Sequence, residues 1–131
     1  MTKEQIIELQ KKENIIKKYN NTEKNEIIKA ICLEIEQNNE MLEYLGKQDM
    51  ASFTNKQIDL TKQIIEDTKE NTKELLELKS ILETKEEIIL NKHQARLIGF
   101  SLDTYLIKNK TNYLAYSIKE DLKYYYGILA I

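Results

Sequence analysis

The chain has 131 residues, with 20 basic and 22 acidic side chains, a net charge of -2, no proline and three glycines. That size supports one modest core or an extended helical assembly rather than two independent domains, and the nearly balanced charge excludes a whole-chain attraction to nucleic acid or membrane. The single cysteine, Cys32, excludes an intramolecular disulfide and, as a lone thiol on a helix, is expected to be buried.

With so few residues that break a helix, the composition points to an all-α protein. We expect an elongated helical bundle or coiled-coil-like assembly of four to five helices, one of them long. The first ten residues lack the apolar core of a signal peptide, and no run approaches membrane-spanning length, so a cytoplasmic protein is expected.

Taken in order, a first helix is predicted from Thr2, which can cap the backbone near Gln5, to about Tyr19. Asn20-Asn21-Thr22 reads as a turn, with Thr22 the cap of a second helix that ends before Gly46 as its C′ residue. In that helix Ile28, Ile31, Ile35, Leu42 and Leu45 form a coiled-coil-like seam, and Asn38 is its one polar member. Such an asparagine either fixes register or oligomeric state, or occupies a loosely packed, partly wet position.

Residues 47–53 form a connector, and Thr54-Asn55-Lys56-Gln57 has the spacing of a capping box that opens the long helix, predicted over residues 54–91. Its middle, from Glu66 to Glu74, holds no apolar residue, so it is expected to be a solvated waist. A break near Asn71 is the alternative, since Asn71-Thr72-Lys73-Glu74 has cap spacing too. The absence of Gly and Pro favours an unbroken helix.

After Leu90 the character changes. Six basic residues face three acidic ones between Asn91 and Ile131, and six of the eight tyrosines lie there. The chain is therefore divided into a helical bundle or coiled-coil region, 1–90, and a Tyr-rich basic helical hairpin, 91–131. Two helices are predicted, one around Gly99 and one ending at Gly127, with a turn from Lys108 to Thr111. The apolar end, Gly127 to Ile131, is expected to pack on the core or a partner.

The run Leu90-Asn91-Lys92-His93-Gln94-Ala95-Arg96-Leu97, followed by Ser117-Ile118-Lys119-Glu120-Asp121-Leu122-Lys123-Tyr124-Tyr125-Tyr126-Gly127-Ile128, resembles the C-terminal domain of phage antirepressor proteins. The resemblance rests on Asp121-Leu122-Lys123 and Gly127, with Tyr126 where that family has an aromatic residue. It covers the last third of the chain, which stops just after Gly127 and has no DNA-binding part before it. It implies a phage or prophage regulator that works through protein contacts.

No motif of catalytic, nucleotide or metal chemistry stands out. His93 is the only histidine and has no ligand partner at metal spacing, so a surface or helix-end imidazole is expected. No cofactor is implied, and the chain is read as not an enzyme. The sharpest feature is Tyr105, Tyr113, Tyr116, Tyr124, Tyr125 and Tyr126 interleaved with Lys119 and Lys123. Large rigid rings suit a protein interface, and these eight residues are the expected partner-binding set. The function expected is a non-enzymatic phage or mobile-element protein that binds and sequesters or inhibits another protein, a host or phage regulator or nuclease, as antirepressors and anti-CRISPR proteins do, with self-association as a homo-oligomer. The alternatives are a nucleic-acid-binding protein that uses the same basic, aromatic helices, and a purely structural helical oligomer.

Overall fold

The computed structural model describes residues 2–12 and 14–126, with the side chains at positions 10, 12, 14–16 and 124–126 left outside the description. The expected packing of Gly127 to Ile131 lies outside these residues. The chain is mostly helical, in the order α1 (Lys3–Lys12), β1 (Asn14–Lys18), α2 (Asn21–Gly46), α3 (Asn55–Thr84), β2 (Glu87–Asn91), α4 (Lys92–Lys108) and α5 (Tyr113–Tyr126).

The two short strands correct the predicted helix boundaries. The first helix stops at Lys12 rather than Tyr19, and the long helix stops at Thr84 rather than Asn91. The segments released pair as an antiparallel ribbon, Asn14 opposite Asn91 and Lys18 opposite Glu87. Paired β-branched residues, Ile15-Ile16 and Ile88-Ile89, favour extended backbone over helix. In β2 the burial alternates: Ile88 and Leu90 are fully buried and Ile89 faces out. That period of two is the mark of a half-covered strand.

Capping sets the helix starts. Thr54 and Gln57 form the expected reciprocal box, as do Asn91 and Gln94 for α4, while the box that opens α2 is Asn20 with Glu23 rather than one built on Thr22. Each box satisfies two backbone donors that the first helical turn leaves open. Gly46 is the last helical residue and not a left-handed C′ residue, for no described glycine has a positive φ.

α2 and α3 form an antiparallel hairpin. Lys24, near the start of α2, donates its ammonium to the Lys85 carbonyl just past the end of α3, and Asn38 Nδ2 donates to Thr72 Oγ1 at 3.2 Å. α3 runs without a break through Asn71 for 30 residues, about 45 Å at the usual rise. Its polar middle is solvated, as expected, along Glu66, Lys69, Glu70, Asn71 and Lys73, but not on the face towards α2. Thr68 is buried and Thr72 half-buried against α2, because a threonine can return its hydroxyl to the preceding turn, as Thr72 Oγ1 does to the Thr68 carbonyl at 2.8 Å.

The core sits where α4 crosses this hairpin. Ile98 and Leu102 of α4 are fully buried among Ile27 and Ile31 of α2, Leu75, Leu78 and Leu82 of α3, and Leu122 of α5. Burying each such side chain contributes about 1.5–3 kcal/mol. The core thus draws on residues from both sides of Asn91 in one cluster. Cys32 is exposed, contrary to expectation. It follows the buried Ile31 by one residue, and one helical step of about 100° turns it out of the core.

Candidate functional site

The corner where α4 turns into α5 carries the aromatic residues singled out in the sequence, and the structure separates them by role. Tyr105, on the last turns of α4, points inward. Its hydroxyl donates to Glu26 Oε2 of α2 at 3.1 Å, and the same oxygen accepts from Asn112 Nδ2 at 2.7 Å. Burial, with the carboxylate alongside, pushes the Tyr105 phenol above its ordinary pKa. Tyr105 is therefore part of the joint that ties α2 to the α4–α5 turn.

Tyr113 and Tyr116 point outward. Ala115, Ile118 and Leu122 define the buried face of α5, and Tyr113 and Tyr116 stand on the other side at 80% and 53% exposure. Ile107, at the end of α4, is 71% exposed and was missed in the sequence because its spacing fits the buried stripe as well as the outer face. Lys123 is exposed. Lys119 is held: its ammonium pairs with Asp103 of α4 and lies 5.9 Å from the centre of the Tyr116 ring. The Asp103 carboxylate raises the Lys119 pKa. Lys119 and Tyr116 are thus brought together, and Tyr105 is kept apart from them. Tyr124, Tyr125 and Tyr126 continue α5, with their side chains outside the description.

This corner has chemistry suited to contact rather than to reaction. Tyr113, Tyr116 and Ile107 supply apolar area, and no carboxylate among the described residues pairs with Lys108, Lys110 or Lys123 around them. Lys119 is neutralised by Asp103, so the basic surface is smaller than the sequence count implies.

A second feature lies in a groove of about 380 Å³ between α1, α3 and α4. His93, expected at the surface or a helix end, sits in the first turn of α4 but is only 7% exposed. Its Nε2 lies 2.7 Å from Glu74 Oε2 of α3, and Lys11 of α1 approaches the other oxygen of that carboxylate at 3.6 Å. The hydrogen bond from His93 holds the Glu74 carboxyl below its ordinary pKa, against the opposing effect of burial. Glu74 and His93 are 19 residues apart on different helices, and only the turn through β2 brings them together. No local spacing could have announced the pair.

Among the described residues no group of three or more His, Cys, Asp or Glu side chains is placed to hold a metal ion, and no helix is long and apolar enough to cross a membrane. No family model, no curated protein and no solved structure matches the chain.

Proposed function

We propose that this chain is a non-catalytic binding protein that docks on another protein through the α4–α5 corner and sequesters or inhibits it. The observation that carries the reading is the outward stand of Ile107, Tyr113 and Tyr116 around one turn. Aromatic and branched side chains of this size anchor interfaces when a partner desolvates them. The antirepressor-like sequence of the last third supports a regulator from a phage or mobile element, with a host or phage regulator or nuclease as its target. The outer part of the α2–α3 hairpin, which carries exposed Met41, Tyr44, Leu60 and Ile64, supports self-association into an elongated, coiled-coil-like oligomer.

The test is to retain a partner from host or phage-infected lysate on the tagged protein, with and without nuclease, and to repeat it with Ile107→Ser, Tyr113→Ser and Tyr116→Ser combined. These side chains are exposed, so helicity and melting temperature stay close to wild type while capture falls by more than about tenfold. Undiminished capture by the triple variant removes the corner from the interface.

A second reading has its own observation. Lys108, Lys110 and Lys123 are exposed on the same two helices and the turn between them, and no carboxylate among the described residues pairs with them, an arrangement in which bases stack and lysines follow phosphates. It predicts retention of nucleic acid with an affinity that falls steeply with salt, and loss of every protein on nuclease treatment.

A further inference from the structure

We propose that copies of this chain join head to tail, the tip of the α2–α3 hairpin of one copy seated on the α4–α5 corner of the next. Such joining rests on the reading of that corner as a contact surface, and gives it an occupant when no target is bound.

Charge is divided between the two ends of the molecule. Between Glu34 and Asp67, the outer part of the hairpin, eight acidic side chains stand against three basic ones, a net of -5. From Asn91 to Ile131 the balance is +3, and over the rest of the chain eleven of each sign cancel. Glu36, Glu40, Asp59 and Glu66 are exposed, and no cation among the described residues pairs with them. Lys108, Lys110 and Lys123 at the corner lack carboxylate partners in the same way.

Apolar surface is left open at both ends. Leu60 and Ile64 lie eighteen residues, five full turns, before Leu78 and Leu82, so all four stand on one stripe of α3. At the base that stripe is closed, with Leu78 and Leu82 buried in the core that α4 completes. At the tip Leu60 is 60% and Ile64 39% exposed, and Tyr44 of α2 stands 64% exposed one turn from Glu40. Ile107, Tyr113 and Tyr116 project from the corner. A helix corner from a second copy can therefore take, on the outer stripe, the place that α4 takes at the base. Its lysines then meet the carboxylates of the hairpin.

Charge also decides against the other arrangements. Tip on tip, as in a twofold dimer, sets a net of -5 against another of -5, and like charges brought together repel. Contact within one chain is out of reach. Tyr105 and Asn112 tie the corner to Glu26 of α2, twenty residues and about 30 Å along the helix from Gly46. A head-to-tail contact joins two different surfaces, so each assembly keeps a free tip and a free corner and adds further copies unless it closes into a ring.

Sedimentation velocity of the full chain over a wide concentration range, in low and high salt, tests the contact. Wild type is compared with a tip variant, Glu36→Lys with Glu40→Lys and Tyr44→Ser, and with a corner variant, Ile107→Ser with Tyr113→Ser and Tyr116→Ser. All six positions are exposed, so the circular dichroism and thermal melt of each variant stay close to wild type. Wild type is expected to grow past the dimer with concentration, and to associate at least about tenfold more weakly in high salt, where surface charges are screened. Each variant alone stays monomeric. Mixed one to one they form a dimer and nothing larger, because the intact tip of the corner variant meets the intact corner of the tip variant. A second pair carries charge reversals only, Glu36→Lys with Glu40→Lys and Lys108→Glu with Lys110→Glu. Each of these alone is monomeric, and mixing them restores growth, since the reversed tip fits the reversed corner.

Wild type that is monomeric at every concentration, assembly that ignores salt, a corner variant that assembles alone, or mixtures that stay monomeric would each overturn the proposal. Lysate capture separates this contact from the docking of another protein. Capture that falls in the corner variant while wild type stays monomeric removes the self-contact and keeps the docking; unchanged capture by a corner variant that no longer assembles does the reverse.

Discussion

The α2–α3 hairpin has two halves built on one sequence pattern and with different fates. Near its base, Ile27 and Ile31 meet Leu75, Leu78 and Leu82, and all are buried. Beyond them the apolar seam continues through Leu42 and Leu45 of α2 and Ile58 and Ile65 of α3, yet no residue from 32 to 67 is buried. The apolar spacing is the same in both. What differs is the third layer, for two helices alone leave each seam residue with one open side, and α4 with α5 closes it only at the base. Periodicity thus reports which face of a helix is apolar, and tertiary neighbours decide how much that face contributes.

The largest effect expected is a direct contrast between the halves. Leu78→Ala, at a fully buried position, lowers unfolding free energy by about 2–5 kcal/mol, and Leu42→Ala, at a half-buried one, by about 1 kcal/mol or less. Urea denaturation of both variants measures it. Equal losses that grow with protein concentration would show the outer half covered by a second copy, since only association makes stability depend on concentration.

Next comes the polar link just inside the boundary. Glu74→Ala leaves His93 without the bond at Nε2 and costs about 1–3 kcal/mol near neutral pH. The Glu74 carboxyl is held below its ordinary value of 4.5 in the folded state, so its contribution is present above that value and is lost as pH falls through the folded pKa. The difference between wild type and variant in urea denaturation therefore shrinks from pH 6 to pH 3. A difference that does not change over that range would mean that the Glu74 charge plays no part.

A smaller contrast separates the tyrosines. Tyr105→Phe removes the bond to Glu26 and lowers stability by about 1 kcal/mol, whereas Tyr113→Ser changes it by less than about 0.5 kcal/mol. Thermal melts of the two variants test whether Tyr105 serves the fold and Tyr113 the surface.

What could be read in the sequence was local. The cap at Thr54, the seam through Asn38 and the turn near Lys108 all depend on residues within a few positions of one another. The ribbon did not announce itself, because five-residue strands give too short a pattern and Ile-Ile pairs fit a broad helical stripe equally well. The same limit hid the groove. His93, Glu74 and Lys11 come from three separate helices, and their meeting depends on where β1 and β2 pair. Threonines misled in another way: as polar residues Thr68 and Thr72 read as solvated, yet a hydroxyl satisfied by its own helix backbone can face a neighbour at little cost.

Asn38 stands at the change between the halves, and replacing it tests what a polar group in the seam does. Its amide donates to Thr72 Oγ1 across the hairpin, within one chain. Asn38→Leu removes that bond, but Thr72 keeps its own bond to the Thr68 carbonyl, and no buried donor is orphaned by the change. The gain in apolar contact offsets the lost bond, and net stability moves by about 0.5 kcal/mol or less. Specificity is a different matter. A seam apolar from Ile28 to Leu45 no longer distinguishes α3 of the same chain from a helix of a second copy, as a polar residue in a coiled-coil core does. Light scattering behind size exclusion is then expected to show a larger or more heterogeneous assembly for Asn38→Leu than for wild type at equal concentration. An unchanged mass would place register control in the capping boxes and the connector instead.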